Sequence, residues 1–172
     1  MSGILVVMRR KMITTDTDVL VADVLVRAIA EVRSRAVDVF TFALYHDHES
    51  AAVSVCVDTE INSARFVSSQ NAFYASRFVD AVAKGDLQTA SLFRANAGRS
   101  LSLGDFEMVN VARTDLRRVR ADDSFYLSMV RTLRGAEREI GGLSRHPQRL
   151  LFCASSANDE VGYLWTAEPA AA

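Results

Sequence analysis

The chain has 172 residues, 49% of them hydrophobic, with a formal charge of −1. That length and apolar content suit one well-buried core rather than two domains. The near-zero charge gives no general attraction to nucleic acid or to an anionic membrane. Lys11 and Lys84 are the two lysines, and every other basic residue is arginine.

In chain order, residues 1 to 15 read as a tail or a short added strand with Ile4, Leu5, Val6 and Val7 as its apolar content. The apolar run precedes Arg9, Arg10 and Lys11, the reverse of a secretory signal. No stretch is apolar for long enough to span a bilayer, and a cytoplasmic protein without a membrane partner is expected. A single domain is expected over residues 16–168, with 169–172 as a frayed end. Asp16 or Thr17 can cap a helix from about Asp18 to Arg35. Asp23, Arg27, Glu31 and Arg35 form one charged stripe on it, and the remaining faces are Val, Leu, Ile and Ala, so this helix should be buried on most sides.

Val37 to Glu60 carries two runs of alternating, strand-forming residues around a polar turn, His46-Asp47-His48-Glu49-Ser50. This is the pattern of a β-hairpin. Phe40, Phe42 and Leu44 share one face of the first strand, and Val39, Thr41, Ala43 and Tyr45 share the other. Helical spacing resumes at about Ser69 to Lys84, ended by Gly85. Asp86 can cap a second short helix, stopped by Gly98. Phe106 to Ala112 reads as a strand. The strongest helix follows, capped by Asp122 or Asp123 and running through Phe125, Met129, Leu133 and Ile140 to Gly141 and Gly142. Arg149 to Ala154 is a strand, and Tyr163 to Thr166 a short edge segment carrying the lone Trp165. Short connections favour an antiparallel sheet of four or five strands packed against helices in a single α+β domain. Phe42 and Leu44 are expected to meet Phe125, Met129 and Leu133 in the core.

Cys56 and Cys153 each fall in a strand among apolar neighbours, as two buried thiols do. His46-x-His48 beside Asp47 and Glu49 is the most metal-like cluster, but the four-ligand spacing of a structural zinc site is missing and a solvated turn is the better reading. Asp58 with Glu60, and Asp105 with Glu107, are spaced to share a strand face; exposed strand-end acids are expected. The chain contains no Gly-x-Ser-x-Gly elbow, dinucleotide fingerprint or P-loop. A non-enzyme without metal or cofactor is expected, with a metal-dependent hydrolase using the His46–Glu49 turn as the remaining alternative. Residues 113 to 149 hold nine arginines against five acids. Arg131, Arg134 and Arg138 lie on the polar side of the strongest helix and suit an acidic partner surface or, as an alternative, nucleic acid. With His46, His48 and Trp165 they are the candidate partner-binding residues.

The segment FTFALYHDHESAAVSVCVDTE, Phe40 to Glu60, and the strand-turn LLFCASSANDE, Leu150 to Glu160, resemble an uncharacterised bacterial domain-of-unknown-function family, family 4303. In that family a strand of the type Phe-x-Phe-Ala-Leu-Tyr is followed by a polar turn and a strand ending near Asn-Thr-Glu. Here Asp58 stands in place of the asparagine. The family is similar in outline to immunity proteins that bind and silence a toxin. The resemblance therefore implies a protein-binding role with a toxin as partner, and it brings no catalytic residues.

Overall fold

The computed structural model describes residues 16–116 and 119–167. The expectations for residues 1 to 15 and 169 to 172 lie outside them, as do Arg117 and Arg118. The elements are α1 (Asp16–Ser34), β1 (Thr41–Asp47), β2 (Ala52–Asp58), α2 (Glu60–Ala83), α3 (Leu87–Ala90), β3 (Arg113–Asp115), α4 (Asp123–Gly135), α5 (Glu137–Gly141), β4 (Leu151–Ala154) and β5 (Tyr163–Thr166). They build one α+β unit around a five-stranded sheet of order β3-β2-β1-β4-β5.

The hairpin is central. β1 pairs antiparallel with β2, from Thr41 opposite Asp58 to Asp47 opposite Ala52. Ala51 closes the turn at φ 46°. Because side chains alternate across a strand, Phe42 and Leu44 join Val53, Val55 and Val57 beneath α1 and α4. Val21, Val24, Ala28 and Val32 of α1 and Phe125, Met129 and Leu133 of α4 complete this layer, so the strand and helix groups expected to meet do so. The other face carries a smaller cluster of Ala43, Tyr45, Cys56 and Cys153, covered by Leu103 and Phe106 from the loop after α3. Cys56 and Cys153 both stand level with Ala43, one on each side of β1. Two strand spacings of about 4.8 Å separate them, too far for a disulfide, and both are free thiols.

The sheet is mixed rather than purely antiparallel. β3 runs antiparallel to β2, and β4 pairs parallel to β1, with Phe42 level with Phe152. β3 and β4 therefore point the same way, and parallel strands need a crossover connection. The segment carrying α4 and α5 supplies it over one face, which the expectation of an antiparallel sheet from short connections does not provide for.

Element bounds also shift. The strand expected at Phe106 to Ala112 follows the edge of β2 irregularly: Val57 and Met108 exchange backbone hydrogen bonds at 2.8 and 2.9 Å, and Asn110 sits at φ 53°. Regular pairing begins at Arg113, two residues after Val111 bonds to Val55. α2 starts nine residues earlier than its periodicity indicated, since Thr59 caps it by accepting from the Asn62 N–H at 3.1 Å. It ends at Gly85, whose φ of 72° suits a residue without Cβ. The strongest helix is split at Ala136 into α4 and α5. Asp122 caps α4, accepting from the N–H groups of Ser124 and Phe125.

Candidate functional site

α4 covers the middle of the sheet but stops short of β5, the last strand. Between them lies a groove of about 820 Å³. Tyr126, Leu127 and Val130 form its helical wall, Tyr163 to Thr166 its strand wall, and Asp123 and Arg134 stand on α4 one at each end. Leu127 and Tyr163 are each 46% exposed. The groove is thus an apolar trough whose rim offers one acid and one base.

β5 pairs with β4 from Leu151 opposite Thr166 to Ala154 opposite Tyr163. Among the described residues no strand pairs with its outer edge. An unpaired edge presents a row of N–H and C=O groups that can receive an extended peptide. The trough and the edge adjoin, so side-chain pockets and main-chain hydrogen bonds are available to the same ligand segment.

Trp165 is half-buried. Its ring stacks on Phe152 at 5.8 Å with an interplanar angle of 16°, and its indole N–H donates to the Glu137 carboxylate at 2.8 Å. Arg134 donates to the same Glu137 oxygen at 3.2 Å. One acid therefore fixes both the aromatic and the basic residue at this end of the groove. Sequence reading singled out Trp165 and Arg134 separately and missed Glu137, which lies three residues beyond Arg134 on the same helical face and so carried a local signal.

Beneath the groove wall, Tyr126 contacts His46. The expectation of a solvated turn is corrected: β1 extends to Asp47, and His46 is 6% exposed. Its Nδ1 lies 3.0 Å from the Tyr126 hydroxyl, and its backbone N–H donates to Ser155 Oγ at 2.8 Å. The Ser155 hydroxyl in turn donates to the Glu160 carbonyl at 2.7 Å. Burial, then the neighbouring His48, lowers the His46 pKa; Asp47 pulls it partly back. Burial, then Tyr163, raises that of Tyr126. His46 therefore supports the groove from below rather than offering a contact at the surface. His48 is exposed, with its ring 4.4 Å from that of His46.

Asp47 belongs to the turn. It accepts from Ser50 and from Arg113, the latter at 2.9 Å, and these contacts hold its carboxyl well below the usual carboxylate range. Among the described residues no group of three His, Cys, Asp or Glu side chains converges as metal ligands would.

The expectation of exposed strand-end acids is corrected at Asp58, while Glu60 and Glu107 are exposed. Asp58 is fully buried, and its Oδ1 accepts from Thr59 N, Asn62 Nδ2 and Glu107 N. Glu60 is exposed and pairs with Arg149. The arginines of the 113–149 stretch are spread out: Arg113 meets Asp47, Arg134 meets Glu137, and Arg145 meets Asp38. Arg131 and Arg138 are exposed on α4 and α5. No described helix is long and apolar enough to cross a membrane. The chain matches no family model, no curated protein and no solved structure among those compared.

Proposed function

We propose that this is a non-catalytic, cytoplasmic protein-binding module that takes a segment of a partner protein into the α4–β5 groove, as a bacterial immunity protein would take its toxin. The observation that carries the reading is the apolar trough directly beside an open strand edge. Such a pairing suits β-strand addition, in which main-chain bonds give affinity and side-chain pockets give selectivity. The Trp165–Glu137–Arg134 contact adds an aromatic and a cation already held in place, and residue types of this kind recur among interface hot spots. The similarity of Phe40 to Glu60 and Leu150 to Glu160 to the immunity-like family points in the same direction.

The test is capture of the toxin encoded beside this gene by the purified protein, with Leu127→Asp and Tyr163→Asp as variants. Binding should fall at least tenfold in each while the fold is kept. Capture that ignores both changes would remove the groove from the account. Tight, steeply salt-dependent binding of DNA or RNA, abolished by Arg131→Glu, Arg134→Glu and Arg138→Glu together, would replace the module by a nucleic-acid regulator.

A further inference from the structure

α2 is the longest helix, with 24 residues, yet its buried residues are Asn62, Ser63 and Ala81. One side is covered by α3 and the loop beyond it, where Tyr74 meets Phe93 at 5.9 Å and the Asn71 amide donates to the Asn96 carbonyl at 2.9 Å. The adjacent side faces solvent along its whole length. Ile61, Ala64, Ser68, Ala72, Ala75, Val79 and Val82 fall there, within an arc of about 80° at 100° per residue, and all are exposed. Ile61 is 85% exposed, Val79 64% and Val82 44%. Long helices owe most of their stability to packing of an apolar face, and in this one that face is unpaired among the described residues.

The stripe is self-complementary. Turned end over end, Ile61 falls opposite Val82, Ala64 opposite Val79 and Ser68 opposite Ala75, with Ala72 beside the centre. A two-fold interface has this property, residue i meeting j where j meets i. Large residues meet small or medium ones toward the ends, and the small central side chains let two backbones approach closely. Charge agrees with the same register. Arg65 borders the stripe at about 60° from its centre and Asp80 lies further round on the same side at about 120°, and the reversal brings each within a turn of its opposite number along the axis. Arg65 reaches Asn62 Oδ1 at 2.7 Å, and Asp80 is exposed. A helix of this length is about 36 Å long, so an antiparallel pair engages the stripe from Ile61 to Val82.

We infer that the exposed face of α2 is a dimer interface: two copies of this chain pair their α2 helices antiparallel about a two-fold axis near Ala72, with Arg65 of each beside Asp80 of the other. The α4–β5 groove lies outside this interface, so the inference stands or falls separately from the partner-binding proposal.

Sedimentation of the full chain should give twice the monomer mass of 18.9 kDa. Ala72→Glu and Val79→Glu should each shift it to monomer with an unchanged circular dichroism spectrum. Arg65→Asp or Asp80→Arg alone should weaken the dimer at least tenfold, and the two together should restore it. Ala72→Cys should cross-link to its own copy on mild oxidation, while Gln70→Cys, on the far side of α2, should not. A wild-type monomer at the highest soluble concentration would overturn the inference. So would a dimer that ignores Ala72→Glu and Val79→Glu, because its interface would then lie elsewhere.

Discussion

α1 and α2 are both long helices rich in Val, Ile and Ala, and they end in opposite situations. α1 sinks Val21, Val24, Leu25, Ala28, Ile29 and Val32 against the sheet and α4, leaving outside its salt bridges Arg27–Asp23 and Arg35–Glu31. α2 is held at its first turn by Asp58, Thr59 and Asn62 and further along by the loop beyond α3, and leaves Ile61, Val79 and Val82 in solvent. Apolar content makes a helix sticky, but position in the topology decides what it sticks to. α1 lies over the strands that follow it, whereas α2 packs against α3 and the loop beyond it rather than against the sheet core.

The sharpest way to break this contrast is truncation. Phe42→Ala or Leu133→Ala, both in the α1–α4 layer at 0% exposure, should each cost about 2–5 kcal/mol in denaturant unfolding. Val79→Ala on α2, measured at low concentration, should cost well under 1 kcal/mol, because little of that side chain is buried within one chain. Equal losses in both helices would erase the distinction.

A smaller effect is expected where α2 joins the domain. Asp58→Ala leaves three N–H donors unmatched in a buried site, for about 1–3 kcal/mol. Burial raises the Asp58 pKa despite hydrogen bonds from Asn62 and the backbone, and its Oδ2 has no hydrogen-bond partner among the described residues. A carboxyl with a raised folded-state pKa favours folding at low pH, and that contribution is lost as pH rises from the unfolded value through the folded one. Asp58→Asn should remove this dependence from melts taken across the acidic range; an unaltered profile would mean that another group is responsible.

His46 acts in the opposite sense. Its folded pKa is lowered, so the unfolded chain takes up the proton first as pH drops below about 6.5. Stability should therefore decline from that point down to the folded value and level off beneath it. His46→Gln should flatten this part of the curve. The smallest effect is expected at Arg134, more than half exposed in its pair with Glu137: Arg134→Ala should change stability by about 0–1 kcal/mol while weakening partner capture at the groove.

The parts of the fold that bury one clean face were legible in the sequence. Val53, Val55 and Val57 alternate because one sheet face is core, and Phe125 to Ile140 repeat because α4 and α5 lie on it. Asp122 announces its cap by being a short acid before an apolar run. The first half of α2 was not legible, since periodicity detects buried apolar stripes and the positions buried there, Asn62 and Ser63, are polar. β3 was missed for a related reason: Arg113-Thr114-Asp115 is held by backbone pairing with β2 rather than by apolar alternation. His46 was misplaced because a polar string reads as a turn, whereas Tyr126 and Ser155, distant in sequence, make a buried histidine acceptable. The groove could not be read at all. Its walls are 33 residues or more apart in the chain, and the Glu137 contact to Trp165 requires β5 to be placed beside β4.

Hydrogen exchange of the full chain at two protein concentrations tests the contrast between a buried layer and an exposed arm most directly. Peptides from β1 and α4 should exchange at one slow, concentration-independent rate set by global unfolding. Peptides from the middle of α2, around Ser68 to Val79, should exchange faster when dilute and slow markedly as the chain is concentrated. Protection of α2 equal to that of β1 at every concentration would contradict the account, because the arm would then be as firmly part of the single-chain core as the hairpin.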